Sequence, residues 1–165
     1  MTTPLEAIAI LQGCDATLLE LLGELSADAR VVPATIGGGD WSAKDLLAHV
    51  AFWEELALQA LDTWRAGELP PRYDADTVNA RNYEASRGAS MEAVEARYHE
   101  AHSRLMQELG TVSAEEWGVR RSREGREFSV GELLGGITGG SGPFNHVEAH
   151  LPDLRAYVER VRVPG

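Results

Sequence analysis

The stretch Trp41-Ser42-Ala43-Lys44-Asp45-Leu46-Leu47-Ala48-His49-Val50-Ala51-Phe52-Trp53 decides the fold. Ser42 is a helix N-cap residue, and Asp45 places an acid in the first turn, where the helix dipole favours it. Leu46, Val50, Trp53, Ala57, Leu61 and Trp64 then recur at spacings of three and four, the signature of an amphipathic helix. His49 falls on that apolar face, one turn before Trp53. Gly67 and Pro70-Pro71 end the helix.

Working outward, Pro33 and Gly37-Gly38-Gly39 separate this helix from an earlier one. Thr3-Pro4-Leu5-Glu6 is a capping box with proline at the first helical position. Leu5, Ile8, Leu11, Leu18, Leu22 and Leu25 form one stripe, which predicts a helix from about Pro4 to Leu25. Cys14, at the edge of that stripe between Gly13 and Asp15, has no cationic neighbour to activate it and reads as small core filler. Downstream, Asp74 to Arg87 is a short helix or an ordered loop. Ser90 caps a third helix whose seam is Met91, Val94, Tyr98, Ala101, Leu105 and Leu109. Ser113-Ala114-Glu115-Glu116 opens a helical turn ending near Gly118, and Arg120 to Glu127 reads as an exposed charged loop.

Ser129-Val130-Gly131-Glu132 is a further capping box, but Gly131, Gly135, Gly136, Gly139, Gly140 and Gly142 follow closely. The fourth helix therefore either starts at Ser129 and is weak or starts near Pro143, with Pro152 kinking or breaking it. The glycines would let a second helix or a ligand approach the backbone. The expectation is an all-α chain of four long helices with long connections, one domain over residues 1–165, and no sheet.

Charge and composition narrow the function classes. The chain carries a formal charge of −11 over 165 residues, which predicts no nucleic-acid partner and no polybasic membrane anchor. No apolar run approaches the ~20 residues of a membrane span. The start Met1-Thr2-Thr3-Pro4-Leu5-Glu6 lacks a basic segment followed by an apolar one, and a single cysteine permits no internal disulfide. The expected compartment is the cytoplasm.

Five histidines carry the chemistry. His146 and His150 are four apart in a helical pattern, a spacing that lets two imidazoles converge on one ion. His49, on the core stripe of the second helix, can face that pair across a bundle. Three neutral imidazoles with an open fourth position make a catalytic type of site, and such ligands suit zinc, nickel, copper or iron. His99 and His102 read as solvated or outer residues. Asp45 and Glu148 lie near the ligands in sequence and are candidates to orient an imidazole or act as a base, against the blander reading of ordinary surface acids.

The segment Trp41 to Val50 with Trp53-Glu54, and His146-Val147-Glu148-Ala149-His150-Leu151, resemble two motifs of the DinB-like superfamily, the YfiT-like metalloenzymes. Asn79, Tyr83 and His150-Leu151-Pro152-Asp153-Leu154 resemble its ClbS/DfsB branch most closely. The resemblance implies an up-down-down-up four-helix bundle with His49, His146 and His150 holding a divalent metal. Relatives include thiol-dependent transferases and isomerases, and a hydrolase that protects against an electrophilic natural product.

The expected function is thus that of a metal-dependent enzyme acting on a small electrophilic or toxic molecule by hydrolysis or thiol transfer. Its cofactor would be a divalent metal, zinc or nickel foremost, with a low-molecular-weight thiol as a candidate cosubstrate. The alternatives are a small-molecule binding or sequestering protein, or a structural dimer with a vestigial site. A homodimer is expected because Leu19, Leu21, Leu47, Phe52, Leu56 and Leu58 exceed what one apolar stripe needs.

Overall fold

The computed structural model describes residues 2–37 and 39–162; residues 1, 38 and 163–165, including Gly38 of the glycine break, lie outside that description. Three long helices are α1 (Pro4–Gly23), α3 (Ala43–Arg65) and α5 (Met91–Thr111), with α2 (Ala27–Arg30), α4 (Ala75–Ser86) and α6 (Ala114–Gly118) between and after them. A hairpin of β1 (Arg120–Arg123) and β2 (Arg126–Ser129) follows, then α7 (Val130–Ile137), a 3-10 turn (Val147–Ala149) and α8 (Leu151–Arg162). The all-α bundle expected from the capping boxes and stripes is present. Thr3, Ser42 and Ser129 each make the reciprocal cap with the acid three residues on.

Helix α3 is the axis of the molecule. It packs against α5, α7, α4 and α2, and most of its length is buried, from Ala43 to Trp64. Two apolar clusters meet along it. Leu46 to Ala51 join Leu18, Leu22, Tyr98, Val147 and Leu154. Trp53 to Trp64 join Leu11, Leu105, Leu109, Leu134 and Phe144. The boundary between the clusters falls within a turn of His49.

Two expectations need correction. The charged segment after Gly118 is a two-stranded antiparallel hairpin, with Arg123 paired to Arg126 around Glu124-Gly125. Both turn residues have positive φ, 52° and 79°, as a type I′ turn requires. The fourth long helix is not continuous: α7 ends at Ile137, and α8 begins only at Leu151. Pro152 marks a break, not a kink: it is the second residue of α8, where its missing N–H costs no helical hydrogen bond. Of the apolar surplus read as a homodimer surface, half is covered within one chain. Leu47, Leu56 and Leu58 are buried, and Leu19, Leu21 and Phe52 are half-buried against the cores. No described helix is long and apolar enough to cross a membrane.

Candidate metal centre

The glycine-rich segment is the device that places His146. Gly139 lies against the end of α7, where a Cβ would sit 2.4 Å from the Gly135 carbonyl oxygen. At Gly140 a Cβ would sit 3.1 Å from the Asn145 carbonyl oxygen and 3.2 Å from Ala149 Cβ. The Asn145 side chain ties the loop together. Its Oδ1 accepts from the N–H groups of Gly140 and Gly142, and its Nδ2 donates to Ser141 and Glu148. Phe144 holds a positive φ of 63°, unusual for a bulky residue, while its ring is buried beside Trp117. The His146 N–H then donates to the Thr138 carbonyl at 2.9 Å. Close backbone approach by a second element, one of the two roles open for these glycines, is the one observed.

His146 and His150 flank the 3-10 turn and precede α8, so the pair is not carried by one α-helix. The convergence nevertheless occurs. Nε2 of His146 lies 3.0 Å from Nε2 of His49 and 3.3 Å from Nε2 of His150. The ring centroids form a nearly equilateral triangle of 4.8, 5.0 and 5.0 Å. Donor atoms bound ~2.0–2.1 Å from a single ion lie roughly 3–3.5 Å apart, which the two distances from His146 match, and all three donor atoms lie within 4.8 Å of one another. A single ring nitrogen has one proton or one lone pair, and His146 Nε2 serves two neighbours poorly with either. The three-histidine group could therefore hold a metal ion.

Electrostatics agree with that role. Burial, then the neighbouring imidazoles His146 and His150, hold His49 down to about 2. Burial and His150 lower His146 to about 4, and burial lowers His150. All three imidazoles are therefore neutral near pH 7, the form that can ligate a cation. His49 is buried, whereas His146 and His150 are half-buried, so solvent reaches the centre from their side.

The proposed outer acids do not touch the imidazoles. Asp45 Oδ2 accepts from the N–H and Oγ of Ser42, at 2.9 and 2.6 Å. Glu148 is exposed and accepts from Asn145. Two buried atoms one turn apart on α3 have no hydrogen-bond partner, Asp45 Oδ1 and His49 Nδ1. Aromatic residues of the same motif stand beside the centre. Trp41 is 4.8 Å from the His49 ring, Trp53 is 5.8 Å from His146, and Trp53 Nε1 donates to Asn79 Oδ1 at 2.9 Å.

The remaining histidines divide. His99 is exposed as expected. His102 is not an outer solvated residue: its Nδ1 is 2.9 Å from the buried carboxylate of Glu54, and its Nε2 is 3.9 Å from Asp15. Tyr98 donates to Asp15 at 2.5 Å. This cluster joins α1, α3 and α5 away from the metal-competent triad. Its signal was legible only as Glu54 falling next to Trp53 on a buried helix. Cys14 is buried core filler, and burial pushes its thiol up.

A family model described as the DinB superfamily matches residues 10–139. No functionally curated protein matches the chain. A crystal structure of an uncharacterised protein from Escherichia coli UTI89 has a TM-score of 0.79 at 14% identity, covering 100% of this chain and 98% of that one. The colibactin self-resistance protein ClbS, solved in complex with double-stranded DNA, has a TM-score of 0.76 at 15% identity, covering 100% and 99%. This second neighbour corrects the expectation that there is no nucleic-acid partner: a protein of this fold is crystallised on a duplex. The physical reason is that whole-chain charge does not report local charge. Despite −11 overall, Arg120, Arg121, Arg123 and Arg126 gather on one hairpin.

Proposed function

This chain belongs to the DinB superfamily, and on that footing we propose that it is a metal-dependent enzyme acting on a small electrophilic molecule by hydrolysis or thiol transfer. The observation that carries the reading is the convergence of His49, His146 and His150 on one point with solvent on one side. These three residues would hold a divalent cation, zinc or nickel foremost. The cation would supply Lewis-acid polarisation to water, a thiol or the electrophile.

The chain's own residues do the rest. The Gly139–Asn145 loop and the Trp53–Asn79 hydrogen bond fix the rings in place. With Nε2 of His49 committed to a cation, its proton would sit on Nδ1, and Asp45, one turn earlier with Oδ1 3.8 Å from Lys44 Nζ, would orient the ring by shifting to accept it. Glu148, exposed and held by Asn145, is left as a surface acid.

The direct test is turnover of monobromobimane with glutathione, bacillithiol or mycothiol, and without thiol, by protein loaded with zinc or nickel and by protein stripped of metal. Metal-dependent turnover lost in His146→Ala supports the reading. Metal-independent binding without turnover across the panel would favour a sequestering protein.

A second reading, nucleic-acid contact, is favoured by the ClbS–duplex structure. Here Glu127 and Glu132 pair with Arg120 of the hairpin, and Glu124 at its turn pairs with Arg72. Any duplex affinity should therefore be weak and fall steeply with salt, which fluorescence anisotropy measures.

A further inference from the structure

Aromatic rings stand beside the histidine triad. Trp41, just before the α3 cap, tilts at 52° over His49 with centroids 4.8 Å apart. Tyr83 on α4 lies 6.4 Å from Trp41 with the two planes only 15° apart. Trp53 meets His49 and His146 edge-on at 6.3 and 5.8 Å. Trp53 is buried, whereas Trp41, Asn79 and Tyr83 are half-buried, like His146 and His150. Partly exposed residues thus occur in both the wall and the triad.

The polar content of this wall is small and directed. A Trp Nε1–H can only donate, so the 2.9 Å bond to Asn79 fixes that amide with Oδ1 toward the indole. Asn79 Nδ2 is left as a donor beside the rings. Trp41, Trp53, Asn79 and Tyr83 carry no charge themselves, so the wall offers a ligand ring faces and one amide. Indole and phenol faces prefer another flat π-system in offset or edge-on contact.

We propose that this wall sets the substrate class of the centre: a neutral molecule bearing a planar aromatic or conjugated group. That group stacks on Trp41 and Tyr83, a carbonyl or similar acceptor meets Asn79 Nδ2, and the reactive atom faces the three imidazoles. The assignment rests on the metal-centre reading for the chemistry but on the rings alone for the recognition.

Two hydroxamates with the same chelating group and similar bulk separate planarity from metal affinity. Calorimetry on the zinc-loaded chain should show benzohydroxamate binding roughly tenfold tighter than cyclohexanecarbohydroxamate. Tyr83→Leu and Trp41→Leu should each shrink that preference, and Tyr83→Phe should keep it, with the cyclohexyl compound changing less than about twofold throughout. Equal affinities in the parent chain, or a preference untouched by both leucine variants, overturns the proposal. The same pair as amides, benzamide and cyclohexanecarboxamide, is then titrated against metal-free protein while the indole N–H resonances are followed by NMR. Selective shifts with benzamide uphold the wall even if zinc fails to bind. Failure of zinc binding together with no selective shift removes both readings.

Discussion

His49 is the residue on which sequence, packing and chemistry meet. It stands on the core stripe of α3, and its low proton affinity follows from burial and from two neighbouring imidazoles. Because an unfolded histidine titrates near 6.5, the unfolded chain binds more protons than the folded one below that pH. The triad therefore has no pH-dependent cost above 6.5 and destabilises the metal-free fold progressively as pH falls toward about 4, where His146 titrates. Thermal melts of metal-free protein should show this acid-side loss, and His146→Gln should flatten it relative to the parent chain. Asp45 gives a second residue-scale test. Its cap bonds to Ser42 imply that Asp45→Ala costs about 1 kcal/mol of stability. If it also orients His49, Asp45→Ala weakens zinc affinity ~10–100-fold, as measured by competition with a chromophoric chelator. An unchanged zinc affinity would confine Asp45 to capping.

At the scale of elements, the glycines of α7 separate packing from propensity. A Cβ at Gly131 would lie 2.5 Å from the Trp117 ring, whereas one at Gly136 meets nothing within 4 Å. Gly131→Ala should thus destabilise by about 1–3 kcal/mol through overpacking, and Gly136→Ala should stabilise by about 0.5–1 kcal/mol through helix propensity. Denaturant melts of the two variants decide it, and like signs would refute the account. These elements also show what the sequence made legible. Caps and stripes located α1, α3 and α5 because their signals are local. The break between α7 and α8 was ambiguous, since whether a glycine weakens a helix or admits a neighbour depends on a residue far away, here Trp117. The hairpin was missed because Arg120 to Ser129 carries charge instead of an alternating apolar pattern, and Glu124-Gly125 is a weaker turn signal than Asn-Gly. The triad was foreseen from spacing and resemblance, although the α-helix assumed to carry His146 is a loop and a 3-10 turn.

Across the whole molecule, α3 divides two kinds of buried chemistry. One side carries the metal-competent triad. The other carries Glu54, buried with one carboxylate oxygen unpartnered, facing His102. Burial lowers His102 while Glu54 and Asp15 raise it, and the raising influences win. An imidazole raised in this way contributes stability fully present below 6.5 and lost as pH rises through its folded value. Removing the carboxylate charge with Glu54→Gln leaves the burial, so the His102 titration followed by NMR should move down toward or below 6.5. A His102 value unmoved by Glu54→Gln would show that the pair is not coupled. The fold thus lowers the proton affinity of one group of histidines and raises that of another, and the difference lies in whether carboxylates share the site.

The central claim is that the three imidazoles bind one cation. Elemental analysis by mass spectrometry of the full chain, purified without a polyhistidine tag and dialysed against zinc at a small molar excess, tests it most directly. The account predicts about one zinc per chain, falling to near zero in His49→Ala and in His146→Ala, while His99→Ala and His102→Ala retain it. A parent chain without bound metal, or zinc retained after loss of His49 and His146 together, would contradict the account.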